Sequence, residues 1–193
     1  MSRSKLLSGM FLVLCVIVFA SSAFAQDVVH AVEGVVNKTD KTGKTIAIKT
    51  ADGTEHVFKF TERTAIRTSS ETAHEAKMGA LDTYFAGKEG THVVVRYIGK
   101  GGDKTATVVE DFGKDSLKAG KGTVTHVDRA AHTVAVKTDD GAESTYKLGQ
   151  QAIVETDHGV VKGSRYALKE GDKITVHYTE DAGEKVVHFF HKL

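Results

Sequence analysis

Apolar and polar residues alternate along most of this chain with a period of two. Ile46 and Ile48 alternate with Ala47 and Lys49, and Val134 and Val136 do the same with Ala135 and Lys137. Phe58 and Phe60 flank Lys59, as Tyr146 and Leu148 flank Lys147. That period marks strands with one face buried. Asp52-Gly53 and Asp140-Gly141 separate these runs, and Asp-Gly supplies the positive φ angles of a tight hairpin turn. Further along, Val93, Val95 and Tyr97, or Ile174, Val176 and Tyr178, predict another strand each. Gly101-Gly102 and Ala182-Gly183 then turn the chain into a last strand, on which Val187 and Phe189 are predicted to face the core.

The same pattern is written twice. At an offset of 88, Gly34, Val36 and Asp40 meet Gly122, Val124 and Asp128. Thr45, Ala47, Lys49, Thr50, Asp52, Gly53 and Glu55 meet Thr133, Ala135, Lys137, Thr138, Asp140, Gly141 and Glu143. Past Thr68 and Thr156 the register slips by seven, and it resumes with Lys88, Glu89, Gly90, Val95 and Tyr97 opposite Lys169, Glu170, Gly171, Val176 and Tyr178. The slip falls where the first copy carries an extra stretch, in which Ser70 followed by Glu71, Ala73, Ala76 and Met78 predicts a short capped helix. The expected class is therefore all-β: two tandem, partly open Greek-key barrels of five or six strands, with a short helix in the first. The expected boundaries are a first repeat at 26–112, a linker at 113–120 and a second repeat at 121–193. One fused sandwich is the rival arrangement.

The pattern G-x-V-x-x-x-D, alternating apolars, Asp-Gly, then E-G-x-x-V-x-V-x-Y resembles small OB-like barrel domains of unassigned function in bacterial secreted proteins. The resemblance implies a barrel and an envelope location, and it carries over no active site. Periplasmic copper carriers with an OB fold are similar in topology but surround their metal with methionines and a tryptophan. This chain has no tryptophan, and Met78 is its one methionine beyond residue 25.

The first 25 residues follow another pattern. Arg3 and Lys5 precede an apolar run from Leu6 to Ala20, and Ala23-Phe24-Ala25 supplies a small-x-small cleavage site. That order predicts a secretory signal peptide at 1–25, a mature start at Gln26, a periplasmic or secreted protein, and no membrane anchor after cleavage. Cys15, the single cysteine, lies inside the run, so the mature chain is expected to lack thiol chemistry. Setting aside Arg3 and Lys5, 24 basic residues face 25 acidic ones. A balance so near neutrality gives no basis for nucleic-acid binding, which needs a basic surface.

Histidine is the one enriched reactive type, with ten residues. The repeat sets His30, His92, His126, His132 and His177 against Lys118, Lys173, Lys38, Lys44 and Arg96, and His56 and His188 against Ser144 and Thr107. Positions that accept lysine are expected to be solvated, so mild acid should raise the net charge and leave stability little changed. Neutral imidazole is also the commonest metal ligand. His177 and His188 are expected to point outward on adjacent strands, and with His191 they form an alternative metal set if the chain end bends. No nucleophile elbow, zinc-protease helix or P-loop is present, and the carboxylates scatter over turns. The expectation is a non-enzymatic envelope module, binding or structural, for an unidentified partner and without a cofactor. A histidine-based binder or buffer of divalent metal is the alternative.

Overall fold

A computed structural model describes residues 27–68, 77–78, 81–99, 101–114, 117–163 and 168–193. The signal-peptide stretch lies outside them. The first repeat comprises β1 (His30–Asp40), β2 (Thr45–Lys49), β3 (Glu55–Lys59), β4 (Ala65–Thr68), β5 (Lys77–Met78), α1 (Leu81–Tyr84), β6 (His92–Ile98) and β7 (Thr105–Gly113). The second comprises β8 (Lys118–Asp128), β9 (Thr133–Thr138), β10 (Glu143–Thr156), β11 (Gly159–Lys162), β12 (Lys173–Asp181) and β13 (Glu184–Lys192).

Each repeat closes into its own barrel. In the first, the order β3-β2-β1-β6-β7 is closed by a parallel pair, Lys59 with Thr105. In the second, β9-β8-β12-β13-β10 returns from β10 to β9. The long β10 does the work of β3 and β4 together, since Glu143–Lys147 pairs with β9 and Ile153–Glu155 runs parallel to β13. Two tandem barrels, rather than one sandwich, are what the repeat encodes.

The recurring residues build recurring turns. Gly53 and Gly141 hold φ of 87° and 86°, where a side chain would be strained. Asp52 accepts from the Thr54 amide at 3.0 Å, and Asp140 from the Ala142 amide at 3.2 Å. Asp40 and Asp128 each accept from two backbone amides of the turn that follows them, all at 2.9 Å. Inside, Ile46, Ile48, Phe58, Val93 and Val95 fill one barrel, and Val134, Val136, Tyr146, Ile174 and Val176 fill the other. Each barrel also tucks a lysine over its aromatics. Lys104 Nζ donates to His56 Nδ1 at 3.0 Å and lies 5.4 Å from the Tyr97 ring centre. Lys185 Nζ donates to Ser144 Oγ at 3.0 Å and lies 5.7 Å from that of Tyr178.

Three expectations need correction. Most of the predicted Ser70–Met78 helix lies outside the described residues, but its last two form β5, paired with Ala65 and Ile66. Among the described residues, the helix of this repeat is α1, one turn further on. Gly113 and Lys118–Gly120 of the expected linker are strand, because β7 runs to Gly113 and β8 begins at Lys118. Finally, β13 carries a bulge. His177 pairs with Phe189 and Tyr178 with Val187, which leaves His188 as the extra residue. The bulge reverses the phase beyond it, so Phe190, not Phe189, joins Val187 in the core.

Phe189 instead enters a third apolar cluster, with Ala31, Val94, Phe112, Leu117 and Ile153. These residues come from both repeats, so the barrels pack on one another. The chain's start reinforces the seam. Val160 of β11 donates its amide to the Val29 carbonyl at 2.7 Å. Gly159, at φ 96°, lets this happen, because a Cβ there would stand 2.6 Å from that carbonyl oxygen and 2.4 Å from Val28 Cγ1.

Candidate functional site

The seam is where most of the ionisable side chains not facing water collect. On the first barrel, inward Val32, Val93 and Val95 put Ala31, Glu33, His92, Val94 and Arg96 on the outer face. On the second, inward Ile174 and Val176 put Thr175 and His177 outside, and the β13 bulge adds Phe189. The two outer faces meet. His30 Nδ1 lies 2.7 Å from Glu155 Oε1, while Glu155 Oε2 accepts from the Ala31 amide at 2.9 Å. Glu33 stands between two rings, with Oε1 at 3.1 Å from His92 Nδ1 and Oε2 at 3.6 Å from His177 Nδ1. Arg96 lies 3.7 Å from Glu110 and donates to the Gln151 carbonyl across the seam at 3.5 Å. Its Nε has no partner among the described residues.

Burial governs the protonation of these groups. His177, 9 % exposed, has its pKa pushed down to about 4 by loss of water, with His191 and His92 adding in the same direction. Glu33 at 3.6 Å is beyond a good hydrogen bond and already serves His92, so it does not offset that loss. His188 is likewise pushed down to about 4 by burial. Its Nε2 is 2.8 Å from Thr179 Oγ1, and its ring meets Phe112 edge-on at 4.9 Å. Burial also raises the pKa of Glu110, against the pull of Arg96 and Arg67.

His177 and His188 do not form the pair expected on adjacent outward positions. The bulge sends His188 to Thr179 and Phe112, while His177 faces Glu33. His191 is exposed, in register with Thr175 and Glu155 on the same outer face as Phe189, so no bend is needed to bring it round. Among the described residues, no three His, Asp or Glu side chains are placed to hold a metal ion. The expectation of solvated histidines holds at His126, His132 and His158, which are exposed, and fails at His177 and His188. The lysine comparison failed for a physical reason: Arg96, the counterpart of His177, is itself covered, with 14 % of its side chain exposed. A cationic position in one copy was no sign of water in either. Glu33 and Glu155, which organise the seam, went unnoticed because a lone carboxylate at an outward strand position reads as a solvated face.

Ring titration by NMR should place His177 and His188 near pH 4. Both folded values lie below the ordinary 6.5, so the neutral ring favours the native arrangement. That contribution is complete above about pH 6.5 and is lost as pH falls from there towards 4. Native stability should therefore be lower at pH 4.5 than at pH 7, and an unchanged denaturation midpoint would mean that water reaches both rings.

Beside the seam, a groove of about 430 Å³ follows the outer side of β1. Glu33, Gly34, Asn37, Lys49, Glu89 and His92 are among its lining residues. Its one hydroxyl, on Thr50, is taken up by Asp52 and by the Thr54 carbonyl. Asn37 donates to Glu55 at 2.5 Å.

No family model matches the chain, and no curated protein matches it either. Solved structures of a small barrel protein are similar to part of it. The Ag(I) form of CusF matches with a TM-score of 0.32 and 11 % identity, over 40 % of this chain and 97 % of that one. Apo-CusF from Escherichia coli matches with a TM-score of 0.31 and 11 % identity, over 40 % and 87 %. Matches of this depth carry no argument about what the present chain binds. No described helix is long and apolar enough to cross a membrane.

Proposed function

We propose that this chain is an exported, non-enzymatic binding module that takes its partner in the groove along β1. The groove carries the reading: it is a concave site walled by a barrel, with Gly90 exposed on its rim and with Lys49, Glu33 and Glu89 offering both signs of charge. The exposed lining is mostly apolar and carries charges of both signs, so it suits a segment of another envelope protein that is apolar in part. Export rests on the order of residues 1–25 described above. The non-enzymatic reading is supported by the state of the hydroxyl in the groove's lining, on Thr50, which is tied to its own turn by Asp52 and the Thr54 carbonyl. The metal reading has less support, since the expected histidines are not gathered.

Photo-crosslinking in cells tests the proposal. A photoreactive residue at Ala51, which lines the groove, is expected to capture a discrete partner, and one at Asp139, its counterpart in the second barrel, is not. Lys49→Glu should suppress the Ala51 product. No product at Ala51, or equal products at both positions, would overturn the proposal.

A further inference from the structure

Among the described residues, six buried apolar side chains hold the barrels together, against twelve in the first core and ten in the second. The seam is thus the smallest of the three buried apolar clusters, and it is also where His177 and His188 lie. His177 and His188 project outward from the second barrel, and the first barrel helps to cover them, with Glu33 against His177 and Phe112 against His188. Separating the barrels would return both rings to water without disturbing either core.

We propose that this face is an acid-released clasp: protonation of His177 and His188 parts the barrels while each keeps its own core. The surrounding charges do not neutralise the protons. From β1, Glu33 is one carboxylate shared between His92 of β6 and His177 of β12. From β13, exposed His191 acts on His177 in the same sense as His92. Glu155 of β10 is engaged by His30 and the Ala31 amide. Glu110 of β7 faces Arg96, with Arg67 near both. Around His188, the neighbours are the Phe112 ring of β7, the Thr179 hydroxyl of β12 and the backbone at Gly149 of β10, none of them charged.

Protons therefore bind the parted form first. With rings near 4 when closed and near 6.5 when hydrated, each favours the parted form about 20-fold at pH 5 relative to pH 7. The test is small-angle scattering and amide hydrogen exchange on the full mature chain at pH 7.5 and pH 4.5. The largest dimension should grow in acid, while amides of Ile46 and Val136, inside separate cores, stay protected. His177→Gln and His188→Asn together remove both titrating rings, and this variant should keep in acid whatever dimension it has at pH 7.5. A wild-type scattering curve that does not change with pH would overturn the clasp. So would simultaneous loss of protection in both cores, or a variant that expands in acid as the wild type does.

Discussion

Phe190→Ala is expected to cost about 3–5 kcal/mol, with the loss confined to the second barrel. Phe190 is fully buried among Val154, Val176 and Val187, so truncation removes its burial and leaves a cavity that a closed barrel cannot collapse to fill. Phe189→Ala deletes the same atoms one residue earlier but should act elsewhere. Its ring lies between the barrels beside Ile153 and Phe112, so its loss should loosen the seam and leave second-barrel amides protected. Hydrogen exchange on both variants separates the two sites. If Phe189→Ala strips protection from Val136 and Val176 while Phe190→Ala spares them, the bulge at His188 has been misplaced.

Gly122→Ala is the second large effect, about 3 kcal/mol or more. Its φ is ordinary and the problem is space. β8 changes partners here, pairing with β12 before this point and with β9 after it, and the two neighbouring strands crowd the bend. A Cβ would stand 2.3 Å from the Lys137 carbonyl oxygen and 2.7 Å from Val136 Cγ1. A backbone oxygen cannot swing aside, so β9 itself must shift. Gly34 occupies the same bend of β1, with corresponding distances of 2.8 Å to the Lys49 carbonyl oxygen and 3.1 Å to Ile48 Cδ1. Gly34→Ala should hence be the milder of the two. Urea denaturation gives the order, and a cost below about 1 kcal/mol for Gly122→Ala would show that the strands separate readily.

These two sites also show what a strand pattern can convey. Gly34 and Gly122 are matched by the repeat, and so are the Asp-Gly turns and the aspartates that close the β1–β2 and β8–β9 connections. Local chemistry dictates each of these, so the sequence displays them. The bulge is different in kind. Val186-Val187-His188-Phe189-Phe190 is apolar at both parities, so period-two reasoning had two phases available and took the wrong one beyond His188. The adjacent phenylalanines were the clue, since a strand that needs both faces apolar is covered on both sides. The histidines followed the same error. Their water was removed by a second barrel, and within one copy nothing distinguishes an outward residue that meets solvent from one that meets another domain.

The hydrogen bond from Val160 to Val29 gives the molecule a second tether. The peptide chain joins the barrels once, between Lys114 and Leu117, and the start of β1 joins them again across the edge of the second sheet. A body held at one point can swivel about every axis, whereas a body held at two can only rotate about the line through them. Any relative movement of the barrels that spares this thread therefore turns like a door, about the line between the two joints.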